Sequence, residues 1–422
     1  MRVQDEPPIH LTYCLNIHPG ETWAENFAAI REKALKVKAM VAPRQPFGLG
    51  LRLSAQAAGE LAQPALLDGL KSFLRANGLY AFTINGFPYG RFHGAPVKDQ
   101  VYAPDWRTPE RRDYTCGLAD ILGRILPEGV CGSISTIPGS YKAWVKSERD
   151  VAQMCRMLGD VAVHLHRIME TTGRDICLAL EPEPDCFIET TAEAVAFFEE
   201  WLDRHGAAHI AHQAGLRTSQ ARRIIRRHVG ICFDTAHAAV QFEDLPASLR
   251  ALRKAGIRVA KIQLSSALRL AQSPRNIKQL ARFLDETYLH QVRAYSPSSA
   301  RTYCYGDLPQ ALTAHLVPWP KDVELRVHFH VPLFFEKHQG LSSTSFLLND
   351  DFRALVLDGI TEHLEIETYT FNVLPKFLRT TDVTESIARE YQWVLRHLLK
   401  LVPHTDRKGT GLQGLNGFEG LE

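Results

Sequence analysis

The sequence predicts an α/β protein built on a (β/α)8 TIM barrel, with an insertion between strands seven and eight. Two observations lead to this fold class. Short apolar runs alternate with stretches of helical periodicity along most of the 422 residues. Polar side chains that bind divalent metals end several of the later apolar runs. Strands separated by helices form parallel sheets through right-handed crossovers, and eight such units favour a closed barrel over an open sheet.

Eight strands are predicted, and helical periodicity fills most of the segments between them. The strands are 9–15, 47–53, 79–85, 130–137, 176–181, 229–234, 258–264 and 363–369. The main helices are 22–41, 64–77, 116–126, 147–171 and 191–205. Because loops after barrel strands carry function, we expect the insertion, with its strand-like stretch 324–335, on the catalytic side. We assign residues 1–404 to the barrel and the glycine-rich segment 405–422 to a disordered tail.

Composition excludes several classes of protein. Hydrophobic residues make up 45% and charged residues 23% of the chain, as in an average soluble globular protein. The formal net charge is only +2, and the basic run at 222–228 has the spacing of a solvated helix face, so no nucleic-acid partner is expected. No apolar run is long enough for a membrane span. The N-terminus lacks a signal-peptide pattern, which predicts a cytoplasmic protein. Eight cysteines without C-x-x-C spacing indicate neither a disulfide framework nor a thiolate zinc site.

Polar residues at strand ends are the candidates for a functional site. Packing of an apolar run does not explain a polar residue at its end, and in a parallel barrel these ends meet at one mouth. Asp234 and His237 follow the sixth strand three residues apart. His328 and His330 are two residues apart on a predicted strand, so both face the same side.

The order of these residues resembles the xylose isomerase-like superfamily, which contains sugar isomerases, sugar epimerases and endonuclease IV-type repair enzymes. The resemblance covers residues 9–372. More narrowly, the chain is similar to EboE-type metabolite traffic proteins, which are associated with bacterial gene clusters that also encode a prenyltransferase and a sugar-phosphate-cyclase-like enzyme. The phrases that carry this similarity are LTYCLNIHPGETW, NGFPYG, EPEPDC, FDTAHAAVQFE and LEIETYTFNVLP.

The resemblance implies one divalent ion, manganese, magnesium or zinc, bound by Glu181, Asp234, Gln263 and Glu367. Carboxylate and amide oxygens suit hard cations. The superfamily usually has histidine or aspartate where Gln263 stands, and the alternative for Gln263 is an amide bonded to a neighbouring loop. For Glu181 and Glu367 the alternative is a buried carboxylate paired with an arginine, since an unpaired buried carboxylate is costly.

The histidines and several loop residues complete the predicted site. His237, His328 and His330 are expected to be able to hold a second ion. The candidates for substrate binding are His18, Asn85, Tyr89, His93, His237 and His330. Alternative interpretations stay open for three of them: a helix-entry turn for His18, and an ordinary proline-glycine turn for Asn85 and Tyr89. Glu183 is either a second carboxylate of the site or a solvated loop acid.

Three functions are compatible with these residues. The first is a metal-dependent isomerase or epimerase acting on a sugar- or cyclitol-like metabolite, with Glu181 and Glu367 as the catalytic base and acid. The second is a non-catalytic metabolite-binding or traffic protein. The third is an endonuclease IV-like phosphodiesterase, for which no basic groove is visible. The expected partner is a small polyol-like metabolite, and association with other proteins of the same pathway is left open.

Overall fold

The computed structural model describes residues 1–94, 96–314, 320–380 and 382–401. Its strands are β1 (Arg2–Gln4), β2 (Ile9–Tyr13), β3 (Phe47–Arg52), β4 (Leu79–Asn85), β5 (Gly132–Thr136), β6 (Ile176–Leu180), β7 (Val229–Asp234), β8 (Val259–Leu264), β9 (Ser266–Ala271), β10 (Val292–Ser296), β11 (Arg301–Tyr305), β12 (Glu324–Val331), β13 (Lys337–His338), β14 (Leu341–Ser343) and β15 (His363–Ile366).

The α-helices are α1 (Trp23–Ala29), α2 (Leu35–Val41), α3 (Ala55–Leu61), α4 (Pro64–Ala76), α5 (Pro109–Ile125), α6 (Glu148–Thr172), α7 (Thr191–Ala196), α8 (Ala207–Ala214), α9 (Thr218–His228), α10 (Thr235–Val240), α11 (Leu245–Lys254), α12 (Pro274–Leu280), α13 (Leu308–Ala314), α14 (Asp350–Leu357) and α15 (Val383–Trp393). Three π-helical segments continue neighbouring helices: Ile30–Ala34, Phe197–Gly206 and Val394–Leu398. Short 3₁₀ turns lie at Leu15–Ile17, Lys98–Tyr102, Lys142–Trp144, Ala281–Phe283, Ser345–Leu347, Tyr369–Asn372 and Lys376–Leu378.

Eight parallel strands form the barrel, in the order β2-β15-β8-β7-β6-β5-β4-β3. A single parallel bridge between Cys14 and Gly50 joins β2 to β3, so the barrel is nearly closed. The short strand β1 pairs antiparallel with β2. The fold class predicted from the sequence is therefore confirmed. The observed strands coincide with the predicted ones and differ from them by at most a few residues at their ends.

The β2–β3 seam depends on glycine at position 50. A Cβ atom there would lie 2.1 Å from Glu365 Oε1 and 2.8 Å from the carbonyl oxygen of Tyr13. Any other side chain would displace the backbone of β2 or the buried Glu365 carboxylate. Gly50 is thus required by close approach rather than by a turn.

The interior of the barrel contains a fully buried ion pair. Lys261 Nζ lies 2.5 Å from Glu365 Oε2 and 3.2 Å from Thr83 Oγ1. Burial is unfavourable for either charge alone, so the lysine and the carboxylate depend on each other. The pair lies one layer below the mouth, because Glu365 precedes Glu367 by two residues on the same strand face.

The insertion between β8 and β15 is confirmed, and it forms an antiparallel sheet in the order β11-β10-β12-β9-β14-β13. It has its own buried apolar cluster, which includes Leu268, Val292, Leu325 and Phe329. The sheet is held against the barrel by arginines. Arg293, on β10, donates to Asp185 Oδ1 at 2.6 Å and to Glu189 Oε2 at 2.8 Å on the loop after β6.

The predicted disordered tail, 405–422, lies outside the described residues. Within the described part of the chain, no helix has both the length and the apolar character that crossing a bilayer requires.

Candidate metal centre and adjoining pocket

Three carboxylates lie at the carboxyl ends of barrel strands. Glu181 directly follows β6, Asp234 is the last residue of β7, and Glu367 directly follows β15. All three are at least 96% buried. The strand register brings them together: Asp234 pairs with Gln263 of β8, and Glu365, two residues before Glu367, pairs with the same glutamine.

Asp234 divides its two oxygens between the protein and the site. Its Oδ1 caps α10, accepting from the backbone N–H groups of Ala236 at 2.8 Å and His237 at 2.9 Å, and it also accepts from Ser265 Oγ at 2.8 Å. Its Oδ2 is buried and has no hydrogen-bond partner. The cap fixes the carboxylate and leaves one oxygen free to bind a ligand.

Three histidines belong to the same cluster as these carboxylates. His237 Nδ1 lies 3.0 Å from the carbonyl oxygen of Pro182, and His330 Nδ1 lies 2.8 Å from that of Glu367. A carbonyl oxygen only accepts, so each of these Nδ1 atoms carries the proton. Each Nε2 atom then has a lone pair, which is the form that binds a metal.

The third histidine is oriented by a side-chain amide. His328 Nδ1 donates to Gln291 Oε1 at 2.7 Å. The amide orientation is fixed because Gln291 Nε2 donates to the carbonyl oxygen of Pro184 at 3.1 Å and to the Tyr102 hydroxyl at 3.2 Å. His328 therefore also carries its proton on Nδ1, with Nε2 available.

These six side chains form three overlapping groups in which the candidate ligand atoms lie within 4.8 Å of one another. The groups are His237–His328–His330, Glu181–Asp234–His237 and Asp234–His330–Glu367. Four buried atoms of the cluster have no hydrogen-bond partner: Glu181 Oε2, Asp234 Oδ2, His328 Nε2 and His330 Nε2. Unsatisfied buried acceptors are costly. A divalent cation bound by one of the three groups would satisfy some of these atoms, so the residues fit a metal with mixed nitrogen and oxygen ligands.

Burial and mutual repulsion control the charges of the cluster. Burial raises the pKa values of Glu181 and Glu367 well above that of an ordinary glutamate. The charge of Asp234 raises the two pKa values further. Burial also opposes ionisation of Asp234, but His237, His330 and the hydrogen bonds to Oδ1 bring its pKa below the ordinary value.

The histidines of the cluster are neutral at physiological pH. Burial lowers the pKa of His237 to about 4 and lowers that of His328 and His330 as well. Neutral imidazoles need not lose a proton before binding a cation.

Gln263 is fully buried in the layer of Glu365. Its Oε1 atom accepts from the Cys232 thiol at 3.2 Å, and its Nε2 atom has no partner. The amide oxygen that would bind a metal is thus engaged with a neighbouring strand. The role of Gln263 as a ligand stays a prediction.

A pocket with about 520 Å³ of empty space, part of it open to solvent, adjoins the cluster. Glu181, Glu367, His237 and His328 form its polar end. The other lining residues are Asn16, Asn85, Phe87, Pro88, Phe92, Val97, Lys98, Val101, Tyr102, Glu183, Tyr288, Leu289 and Tyr369. The candidate catalytic carboxylates therefore face this pocket.

The predicted substrate-binding residues do not all line this pocket. Asn85 and His237 do. His330 is buried within the cluster, and His18 lies elsewhere, with Nε2 3.0 Å from the Tyr13 hydroxyl. Tyr89 packs edge-to-face on the Tyr114 ring, with centroids 5.1 Å apart.

His93 lies behind the pocket wall and contacts two residues that line it. Its Nε2 atom is 2.6 Å from the carbonyl oxygen of Asn16, and its Nδ1 atom is 2.9 Å from the Tyr288 hydroxyl. The direct roles predicted for His18, Tyr89, His93 and His330 in substrate binding stay predictions.

Glu183 belongs to the pocket rather than to a solvated loop. The Tyr102 hydroxyl donates to Glu183 Oε1 at 2.7 Å, and the carboxylate is 6% exposed. Burial raises the pKa of Glu183 to about 8. Five residues of the site were not predicted from the sequence, because no motif or spacing connects loop residues that meet only in the folded barrel. They are Asn16, Tyr102, Tyr288, Gln291 and Tyr369.

Comparison with known proteins gives structural neighbours of low identity. No protein-family model matches the chain, and no curated protein matches it. Similar solved structures include the IolI protein with a bound zinc atom (TM-score 0.47, 12% identity, 92% of this chain and 99% of that one). They also include the 3-keto-D-glucoside 4-epimerase YcjR from E. coli (0.42, 14%, 92% and 98%) and a xylose isomerase domain protein from Planctomyces limnophilus (0.45, 13%, 88% and 93%). These identities assign no activity to this chain.

Proposed function

We propose that this protein is a metal-dependent isomerase or epimerase acting on a sugar- or cyclitol-like metabolite. The observation that carries the proposal is the buried cluster of three carboxylates and three neutral imidazoles beside the pocket. The similarity of five sequence phrases to EboE-type proteins extends the proposal to a cytoplasmic pathway of metabolite biosynthesis and traffic, beside other proteins of that pathway.

The candidate ligands of the proposed ion are Asp234, His237, His328 and His330, which belong to three overlapping groups, with Glu181 and Glu367 beside them. A divalent ion there would polarise a carbonyl group or a pair of hydroxyl groups of the substrate. The nitrogen-rich set favours zinc, while the carboxylates also suit manganese and magnesium.

Glu181 and Glu367 would move the proton. Glu367 Oε1 accepts from Asn16 Nδ2 at 2.9 Å and Asn85 Nδ2 at 3.0 Å, so Oε2 remains for chemistry. Glu181 Oε2 has no partner. One carboxylate would take the proton from the carbon beside the polarised carbonyl, and the other would return a proton to that carbon from the opposite face. The proton count then balances, and the configuration at that carbon inverts.

Solvent-deuterium exchange tests this chemistry. Metal-loaded wild-type protein in D₂O should incorporate deuterium at the carbon beside the carbonyl of a ketose or keto-cyclitol substrate, measured by NMR and mass spectrometry. Glu181→Gln and Glu367→Gln should each reduce the exchange rate by a factor of at least about 100, as expected for loss of a general acid or base. Glu243→Gln is the control. The Glu243 carboxylate accepts a hydrogen bond from the backbone N–H of Thr191 at 2.9 Å and does not line the pocket.

The outcomes separate catalysis from binding. Exchange that survives both active-site substitutions would exclude this acid–base pair. Metabolite binding to the metal-loaded protein without any exchange would favour the traffic function over the isomerase.

A further inference from the structure

Asn16 places an unused hydrogen-bond acceptor in the wall of the pocket. Its side chain is 2% exposed, and its Nδ2 atom donates to Glu367 Oε1 at 2.9 Å. Its Oδ1 atom is buried without a partner. A buried carbonyl oxygen with no donor is unfavourable, and a hydroxyl group of a bound ligand would satisfy it.

Asn85 makes the same bond to Glu367 but has no acceptor to spare. Its Nδ2 atom donates to Glu367 Oε1 at 3.0 Å, and its Oδ1 atom accepts from the backbone N–H of Phe87 at 3.1 Å. Of these two amides, only Asn16 offers a free oxygen. The two residues therefore form a matched pair for experiment.

Apart from the proposed ion, the described lining of the pocket offers no free cationic side chain to an anionic ligand. Among its described lining residues, Lys98 is the only lysine or arginine. Its ammonium group lies 2.8 Å from Asp307 Oδ2, 2.8 Å from the carbonyl oxygen of Tyr288 and 3.2 Å from that of Asp285. These three acceptors use the three N–H donors of a lysine. Glu181, Glu183 and Glu367 face the same space, so a phosphate or carboxylate away from the ion would meet carboxyl groups and no free cationic donor.

Three aromatic rings from different loops form one wall of the pocket. Phe92 follows β4, Tyr288 belongs to the insertion and Tyr369 follows β15. The ring centroids lie 5.2 Å apart for Phe92–Tyr288, 5.4 Å for Phe92–Tyr369 and 5.3 Å for Tyr288–Tyr369. Pockets for small molecules combine such apolar walls with a few placed polar groups. These rings would offer apolar contact to the C–H groups of a sugar or cyclitol ring.

We propose that the pocket selects an uncharged polyhydroxylated ring, with one hydroxyl group donating to Asn16 Oδ1 and the ring face on Phe92, Tyr288 and Tyr369, and that it rejects phosphorylated forms. This inference rests on the proposed function, because the same cluster binds the other end of the ligand. It adds Asn16 as a specificity-determining residue.

Matched ligand pairs test the class of substrate. Metal-loaded wild-type protein is titrated calorimetrically with myo-inositol against myo-inositol 1-phosphate, and with D-fructose against D-fructose 6-phosphate. The unphosphorylated member of at least one pair should bind about tenfold more tightly or better. Tighter binding of the phosphates overturns the inference, and so does failure of all four compounds to bind.

The paired amides test the role of Asn16. Asn16→Ala and Asn85→Ala each remove one donor to Glu367, so both should lower metal affinity to a similar extent. Only Asn16→Ala removes a free acceptor, so it should weaken binding of the neutral ligand about tenfold more than Asn85→Ala does. Equal losses would remove Asn16 from ligand recognition.

Metal binding is measured first, so that failure of the proposed function and failure of this inference can be told apart. A protein that takes up no metal contradicts the proposed function. A metal-loaded protein that prefers phosphates contradicts only this inference.

Discussion

At the scale of single residues, the side chains of the cluster are held in place in a similar way. Asp234 and Glu367 each commit one carboxylate oxygen to protein donors, and each histidine commits Nδ1 to an oxygen acceptor. The remaining atom of each side chain is left for a ligand. Such pre-orientation lowers the entropy that binding must overcome. It also explains why four buried atoms of the cluster have no hydrogen-bond partner within the protein.

His330→Gln is expected to lower the affinity for zinc by at least about 10- to 100-fold. That loss is typical when a residue that only hydrogen-bonds to a metal ligand is removed, and removal of a ligand itself should cost no less. The reason is that the candidate ligand atoms of His330, Asp234 and Glu367 lie within 4.8 Å of one another. His290→Gln is the control, since His290 is equally buried in the insertion but donates to the carbonyl oxygen of His328 and belongs to none of the three groups. Competition with a chelating dye measures both affinities. Equal affinities of the two variants would exclude His330 as a ligand.

The sequence predicts that some of these residues lie close together, but it does not predict this for the others. A spacing of two on a strand places His328 and His330 on one face, and the end of a strand places Asp234 at the mouth. No such rule reaches Gln291 or Asn16, whose partners are distant along the chain and depend on how the insertion and the barrel loops pack. Gln263 lies near the end of a strand, as the sequence predicts. Its position in the strand does not reveal which neighbour its amide oxygen contacts.

At the scale of elements, the barrel strands were predictable because each is a short apolar run, buried on both sides, between helices. The insertion was predictable as an extra strand-bearing segment. Its pairing order was not, because antiparallel pairing of β12 with both β9 and β10 depends on long-range contacts. The way it is anchored to the barrel also required the structure.

Arg293→Met is expected to destabilise the protein by about 3 kcal/mol, the low end of the range for breaking a buried ion pair. Arg293 is 2% exposed at its side chain, whereas Asp185 and Glu189 keep some contact with solvent. Arg269→Met is the control: Arg269 pairs with Glu324 but is 36% exposed, so its loss should cost less than about 1 kcal/mol. Urea unfolding measures both. A cost for Arg293→Met no larger than that of the control would show that the arginine does not hold the insertion to the barrel.

At the scale of the whole molecule, the acidic cluster links stability to pH and to metal. The pKa values of Glu181 and Glu367 are raised above an ordinary value of 4.5, so above pH 4.5 the folded protein holds protons that the unfolded chain has lost. Stability without metal must then fall as pH rises toward the raised pKa values. The lowered pKa values of the histidines affect stability below pH 6.5, because there the unfolded chain binds protons that the folded protein does not bind. Stability therefore falls as pH falls below 6.5.

Metal-free protein should therefore lose stability as pH rises above 6.5, by up to about 1.4 kcal/mol per pH unit for each of Glu181 and Glu367 that stays protonated. The double variant Glu181→Gln/Glu367→Gln should reduce this slope, because glutamine does not titrate, while Glu183 still does. Saturating zinc should flatten it as well. Denaturant unfolding across the pH series measures the slope, and an unchanged slope in the double variant would refute the assignment.

The central claim is that barrel carboxylates and imidazoles of the insertion bind one cation together. Crystals of wild-type protein grown with zinc, measured at the zinc absorption edge, test it most directly. We expect an anomalous peak about 2.0–2.2 Å from Asp234 Oδ2 and His330 Nε2, the usual zinc–ligand distances. Crystals at saturating zinc with no peak in the cluster, or with a peak only elsewhere, would contradict it.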